Sequence, residues 1–225
     1  MHKGFAIAID GPVAAGKGTI APRLAKRLNG FYLYTGAMYR CLALVALREN
    51  IHLEDEKSLI SLLPKVNIEF KDDKVYLNEE DVTERIKDVD VASGSSKVSV
   101  IAEVRKYMVK KQQQIAEEAM NEGKIVIAEG RDTGTIVFPD AKLKVFLTAK
   151  QKVRVKRRLN QLKDQGKTET FQKILVEVKE RDKRDKQRET DPLVSSPLKF
   201  GYFILDNSSL TEEETLEEII KKLNT

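Results

Sequence analysis

Short, wholly apolar runs alternate along the chain with segments in which apolar residues recur every three or four positions. Phe5-Ala-Ile-Ala-Ile9 is the first run, and Asp10-Gly11-Pro12 ends it; the run predicts a strand buried on both faces, as in a parallel sheet. Ile20, Leu24 and Leu28 follow at four-residue spacing and predict a helix that lays one stripe on that strand. Pro22 falls inside this helix, where it removes an amide donor and predicts a bend or a weakened turn. Further apolar runs at Phe31–Leu33, Ile125–Ala128, Val145–Leu147 and Phe203–Leu205, interleaved with helix-like segments, predict an α/β fold with a five-stranded sheet.

Two segments depart from that alternation. Residues 66–70, 74–77 and 80–82 alternate polar with apolar around the turn signal Lys71-Asp72-Asp73, which predicts a small antiparallel insert. Residues 153–165 and 170–189 carry helical spacing on either side of Gly166-Lys167-Thr168, with Ile174, Leu175 and Val178 on an apolar stripe, and predict a basic helical hairpin. No internal repeat, low-complexity tract or Pro/Ser-rich linker interrupts the chain, so the inserts are expected to belong to one domain spanning 1–225.

Composition narrows the classes. At 225 residues and 41% hydrophobic content the chain can bury a sizeable core. Its longest apolar runs fall short of the ~20 residues a membrane helix needs, and no secretory pattern is seen at the start, so a cytoplasmic, non-membrane protein is expected. The single cysteine, Cys41, excludes an internal disulfide and a multi-cysteine zinc site; His2 and His52 add no ligand cluster, which leaves a hard, oxygen-bound metal as the kind to expect. No long apolar seam asks for a partner, and a monomer is the default expectation. Charge is uneven: from Lys142 to Arg188 there are 17 Lys and Arg against 6 Asp and Glu, so this block holds +11 of a whole-chain +5 and the remainder is net −6. Such a block attracts polyanions, nucleotide phosphates or nucleic acid; a solvated helix face is the plain alternative.

The strongest chemical signal lies between the first strand and the first helix. Gly11-Pro12-Val13-Ala14-Ala15-Gly16-Lys17-Gly18-Thr19 matches G-x-x-x-x-G-K in the strand–loop–helix context that motif requires. Glycines let backbone amides turn inward around phosphate oxygens, the helix N-terminus adds partial positive charge, Lys17 neutralises terminal phosphates, and Thr19 offers a hydroxyl near a metal. Gly18, where the general motif has Ser or Thr, gives a G-K-G-T form that resembles nucleoside monophosphate kinases more than GTPases or motor ATPases. Phosphoryl transfer needs cations around the transferred group and an acceptor held in line. Arg181, Arg184 and Arg188 recur at i, i+3 and i+7, on one side of a helix with Asp185; an ordinary salt-bridged surface is the alternative. Glu129-Gly130-Arg131-Asp132 follows a strand directly, and parallel sheets bind ligands beyond the carboxyl ends of their strands. There Arg131 suits a phosphate and Asp132 an exocyclic amine. Thr35-Gly36 and Arg40 follow another strand in the same way.

These residues resemble a known family, the bacterial cytidylate kinases. Five segments carry the resemblance: Ile9–Thr19, Tyr34–Arg40, Ser96–Arg105, Glu129–Asp140 and Lys179–Asp185 with Arg188, in the family's order over nearly the whole chain. The resemblance implies a P-loop three-layer sandwich with a five-stranded parallel sheet, a small antiparallel insert and a helical lid. It divides the chain into a core at 1–36, 97–152 and 187–225, an acceptor-binding insert at 37–96 and a lid at 153–186. It implies ATP-dependent phosphorylation of CMP, and of dCMP, by direct in-line transfer with no protein nucleophile. Gly11 to Thr19 and Arg157 would bind ATP, and Mg²⁺ would bridge its terminal phosphates with Asp10 a partner through water. Arg40, Arg131 and Arg188 would hold the acceptor phosphate; Ser96, Arg105 and Asp132 would read the cytosine edge; Arg181 and Asp185 would grip the ribose, with Thr35 beside the acceptor. Lys17, Arg131, Arg184 and Arg188 are the candidate catalytic cations. Tyr34 stands where the family usually has Asp, and residues 189–198 contain two Pro-Leu steps where the family has one. Two alternatives stay open: a P-loop kinase for another nucleotide such as UMP or another small acceptor, and a nucleotide-regulated nucleic-acid-binding protein. The second fits poorly, because the basic block holds only Phe171 besides the strand residue Phe146 and so lacks a stacking platform.

Overall fold

A computed structural model describes residues 3–71 and 73–225. His2 and Asp72, the latter the centre of the expected turn at 71–73, lie outside the described residues. The chain separates into two compact units: Met1–Tyr32 with Glu118–Thr225, and Leu33–Glu117.

The apolar runs form the strands they predict. β1 (Ala6–Asp10), β2 (Phe31–Tyr34), β6 (Val126–Gly130), β7 (Leu143–Thr148) and β8 (Phe203–Asp206) make one sheet in the order β2-β6-β1-β7-β8. The pairs β1/β6, β1/β7 and β7/β8 are parallel, with Ile7 opposite Ile127 and Leu143. β1 is therefore a central strand, buried at every position, which is why it reads as an unbroken apolar run. Helices α1 (Lys17–Arg27) and α8 (Glu212–Leu223) cover the sheet, and Ile20, Leu24, Leu216 and Ile219 join Ile7, Ile9, Val145 and Leu147 in one core. Each such side chain contributes roughly 1.5–3 kcal/mol by leaving water. α8 begins with a capping box, Thr211 to Glu214, and places Glu212, Glu213 and Glu214 in its first turn, where the helix dipole favours anions.

Pro22, where a bend or a weakened turn is expected, does not interrupt the helix: α1 is continuous from Lys17 to Arg27. The ring sits at a half-buried position while Ile20, Ala21, Leu24 and Ala25 around it are buried against the sheet. That packing outweighs one lost amide bond.

α6 (Gln151–Asp164) and α7 (Phe171–Gln187) form the basic hairpin, reversed at Gly166. Val155, Leu162, Ile174 and Val178 are its buried seam. Thr170 caps α7 by accepting the Lys173 amide at 3.2 Å.

The second unit has a separate core. α2 (Thr35–Arg48), α3 (Glu56–Leu62) and α4 (Val89–Val98) pack with the first turns of α5 (Ala102–Asn121) and with an antiparallel sheet of β3 (Ile68–Lys71), β4 (Lys74–Leu77) and β5 (Glu80–Asp81). Met38, Leu42, Leu59, Leu62, Leu77, Val91 and Met108 are buried in that core. No helix among the described residues is long and apolar enough to cross a membrane.

Candidate active site

β1 ends at Asp10, and the chain then turns through Gly11–Gly16 into α1. Gly11 has φ of 151°, and a Cβ there would overlap the Leu147 carbonyl oxygen of β7, so the loop can leave the strand only through glycine. Gly16, at φ 100°, makes the entry to α1. The carbonyls of Gly11, Pro12 and Ala15 are occupied. Lys17 Nζ donates to Gly11 O (2.8 Å) and Pro12 O (2.9 Å); Ala15 O accepts from Arg157 Nη1 and Asn207 Nδ2, both at 3.1 Å. The amides of Ala14, Gly16, Lys17 and Gly18 have no acceptor among the described residues. A set of orphan donors at a helix N-terminus, beside a buried ammonium, suits phosphate oxygens.

Burial, and then the nearby Arg131, lower the pKa of Lys17 to about 7, with Glu129, Asp185 and Asp10 pulling the other way. Asp10 is itself saturated: Oδ1 accepts the Thr133 amide (2.9 Å), and Oδ2 accepts the Gly134 amide (2.8 Å) and the Tyr202 hydroxyl (2.6 Å). Thr133–Val137 is a single π turn directly beyond β6, and the buried Asp10 carboxylate ties it to the end of β1. Burial and the Asp10 charge push the Tyr202 hydroxyl pKa up.

At the end of β6, Arg131 Nε meets Asp185 Oδ2 of α7 at 2.5 Å, and both are nearly buried. Burial opposes both charges, yet Asp185 holds the Arg131 pKa up and Arg131 with Arg181 holds the Asp185 pKa down. Asp132 is buried, with Arg188 Nη2 3.5 Å from its Oδ1, and Arg188 also donates through Nε and Nη2 to Asp191 O. Arg131, Asp132, Asp185 and Arg188 are thus gathered between β6 and the end of α7, with half-buried Arg181 on the same helix, whereas Arg184 is exposed. Arg157 is half-buried, and burial lowers its pKa. Thr19 is half-buried on the first turn of α1.

The second unit holds the other candidates. Thr35 is buried at the start of α2. Arg40, one turn on, donates to Ile86 O at 2.9 Å and lies 5.6 Å from the centre of the Tyr34 ring. Tyr34 therefore supports the guanidinium by its π face. Ser96 is buried on α4, and Arg105 is buried on α5, donating to Ser99 O at 3.2 Å with the Tyr39 ring 5.6 Å away.

The family model for cytidylate kinase matches residues 7–225. The chain belongs to the cytidylate kinase family. Its curated relatives include the cytidylate kinase of Caldanaerobacter subterraneus subsp. tengcongensis, 44% identical over 96% of this chain and 93% of that protein. The cytidylate kinase of Neisseria meningitidis is 38% identical over 98% and 97% of the two chains. That of Caldicellulosiruptor bescii is 42% identical over 96% and 93%. Among solved structures, an uncharacterized protein from Eubacterium ventriosum has the same fold at a TM-score of 0.55 and 16% identity, covering 99% of each chain.

In this member of the family the two Pro-Leu steps differ sharply. Leu193 is buried and its amide bonds Asp185 O at 2.7 Å, while Leu198 is 73% exposed. Sequence reasoning missed Tyr202, Asn207, Arg154 and Asp182, and it quoted Glu129 only as part of a motif. Asn207 follows the carboxyl end of β8, so the strand-end rule that found Arg131 would have found it too. Glu129, a buried carboxylate closing an apolar run, also stood out in principle. Nothing in the spacing singled out Arg154 or Asp182.

Proposed function

We propose that this protein transfers the γ-phosphoryl group of ATP to CMP, with dCMP a second acceptor, by direct in-line attack of the acceptor phosphate. The observation that carries this reading is the pairing of a phosphate cradle with a second cationic cluster. Orphan amides and buried Lys17 follow β1, and Arg131, Arg188 and Arg181 gather beyond the adjacent strand β6.

On this reading the amides of Ala14, Gly16, Lys17 and Gly18 take the donor's phosphates, with Lys17 and Arg157 neutralising charge. A Mg²⁺ ion held by the donor phosphates and the Thr19 hydroxyl supplies further charge neutralisation when bound. The Asp10 carboxylate orients the π turn at Thr133–Gly134, and its role toward a metal runs through water. Arg131 and Arg188 exchange their present carboxylate and carbonyl partners for the acceptor phosphate. Charge developing on the transferred group is met by cations already fixed in a dry site, which is where such stabilisation is largest. Arg181 and Asp185 hold the ribose hydroxyls and Arg184 adds a cation from the exposed side; Arg40, Ser96, Thr35 and Arg105 are the further acceptor-binding residues that the family resemblance implies. The hairpin at 153–186 serves as the lid that keeps water from the transfer. The protein works in the cytoplasm as a monomer on small nucleotides rather than nucleic acid.

Asp132 accepts from the exocyclic amine of cytosine. Uracil offers no such donor, so the hydrogen bond that cytosine makes to the buried carboxylate is lost, at a cost of about 1–3 kcal/mol. ADP release from Mg-ATP, measured with CMP, dCMP, UMP, AMP, GMP or no acceptor, tests the proposal. The expected rate is highest with CMP, and Asp132→Ala loses the preference for CMP over UMP. A rate that no acceptor raises above background refutes the kinase reading; a preference that survives Asp132→Ala refutes the base-reading role alone.

A further inference from the structure

The crest of the phosphate loop is held from outside by the basic hairpin. Val13, two residues after the glycine that leaves β1, has each of its groups engaged by α6 and α7. Its amide donates to Asp182 Oδ1 at 3.3 Å, and its carbonyl accepts from Arg154 Nη1 at 2.9 Å. Its side chain packs with Leu159 and Leu175 against the hairpin's apolar seam. Arg154 and Asp182 in turn form a two-pronged ion pair, Nη1 to Oδ1 at 3.1 Å and Nη2 to Oδ2 at 2.7 Å, and Arg154 Nε is anchored on Ala149 O at 3.1 Å. The side chains are only 8% and 14% exposed. A nearly buried, bidentate pair is geometrically rigid, unlike the exposed pairs that join Arg23 and Arg27 to α8.

We propose that Arg154 and Asp182 are a positioning pair for phosphoryl-donor binding: by clamping both backbone groups of Val13, they fix the crest from which the phosphate-binding amides follow. Neither residue needs to touch the nucleotide. Ala14, next in the chain, sits at φ 57°, a conformation that a β-carbon disfavours and that a loosely held loop would relax. The clamp withholds the Val13 amide from other acceptors and keeps Ala14 in that state, and the orphan amides of Gly16, Lys17 and Gly18 stay in register behind it. The consequence for the reaction is that the hairpin both covers the donor and shapes its seat. The inference rests on the donor-side reading above.

Inorganic tripolyphosphate, which has phosphates but neither base nor ribose, isolates this effect. Its affinity is to be measured by equilibrium titration on wild type, Asp182→Asn, Asp182→Ala, Arg154→Met and the Asp182→Ala/Arg154→Met double variant, with CMP titrated in parallel and thermal unfolding recorded for each. Asp182→Asn is nearly isosteric and keeps the test open should the alanine variant fail to fold. The expected result is a loss of roughly tenfold in tripolyphosphate affinity, the size of one hydrogen bond to a charged group, with CMP affinity unchanged. The double variant is no worse than the poorer single, because the two residues act as one unit. In turnover the KM for ATP rises and the KM for CMP does not. Folded variants that bind tripolyphosphate as well as wild type overturn the proposal while leaving the donor site intact, and so do equal losses for tripolyphosphate and CMP, which indicate a general structural role. A wild-type protein that ignores tripolyphosphate removes the donor-site reading itself and the proposal with it.

Discussion

The pKa of Lys17 makes donor binding a proton-linked event. In the ligand-free protein burial lowers it from 10.5 to about 7, so near neutrality the ammonium has already begun to lose its proton. Polyanionic phosphate in the cradle supplies the opposite charge that burial denies it, and the bound state therefore holds the proton well above pH 7. The sign follows: the complex binds more protons than the free protein, so affinity falls as pH rises, and binding takes up a proton from solution. Between pH ~7.5 and ~9 the charged fraction of a group titrating near 7 drops from about a quarter to about one hundredth, a roughly 25-fold loss of affinity or about 2 kcal/mol. The terminal phosphate of ATP completes its own ionisation near pH ~6, as a phosphate monoester does, and adds little slope in this window. Titrations of metal-free ATP at several pH values give the slope, and calorimetry in buffers of different ionisation enthalpy gives the proton count directly. Lys17→Arg, which cannot deprotonate, is expected to bind with no slope. An affinity that is flat for wild type between these pH values, or a slope that persists in Lys17→Arg, refutes the assignment.

Other expectations are simpler. Tyr202→Phe removes one of three donors from the buried Asp10 carboxylate and is expected to cost about 1.5–3 kcal/mol in denaturant unfolding; an unchanged midpoint would show that the bond adds nothing to the fold. Gly11→Ala cannot place its Cβ without displacing the backbone of β7, so tripolyphosphate binding should be abolished and the melting temperature lowered together. Cys41 is buried and its pKa is pushed up to about 12, so a thiol reagent at pH ~8 should label it only under unfolding conditions; rapid labelling of the native protein would contradict the packing of α2.

The central strands β1 and β6 were legible because they are buried on both faces and so appear as apolar runs, and the cradle because its geometry needs glycine and lysine at set places. Strand ends were right to within about two residues, the usual uncertainty of such boundaries. Pro22 carries a local penalty that the sequence shows, and the four buried neighbours that keep α1 continuous across it are visible only in the fold. The clamp on Val13 was illegible for a different reason. Arg154 and Asp182 stand 28 positions apart in a stretch crowded with like residues, and only the folding back of α7 on α6 selects this Arg and this Asp from the rest. Tyr34 appears in sequence as a lost carboxylate; in the structure it is an aromatic platform under Arg40, a contact that residue spacing does not reveal.

The order of the sheet also bears on how the protein is made. β1 is made well before its two neighbours in the sheet, β6 and β7, which begin at Val126 and Leu143. The nascent strand and its glycine loop must wait for more than half the chain before either edge is paired. The unit at Leu33–Glu117 is contiguous and meets no such delay. It is free to fold while β1 is still unpaired, so the nucleotide cradle is assembled late in synthesis, on a chain whose middle is already structured.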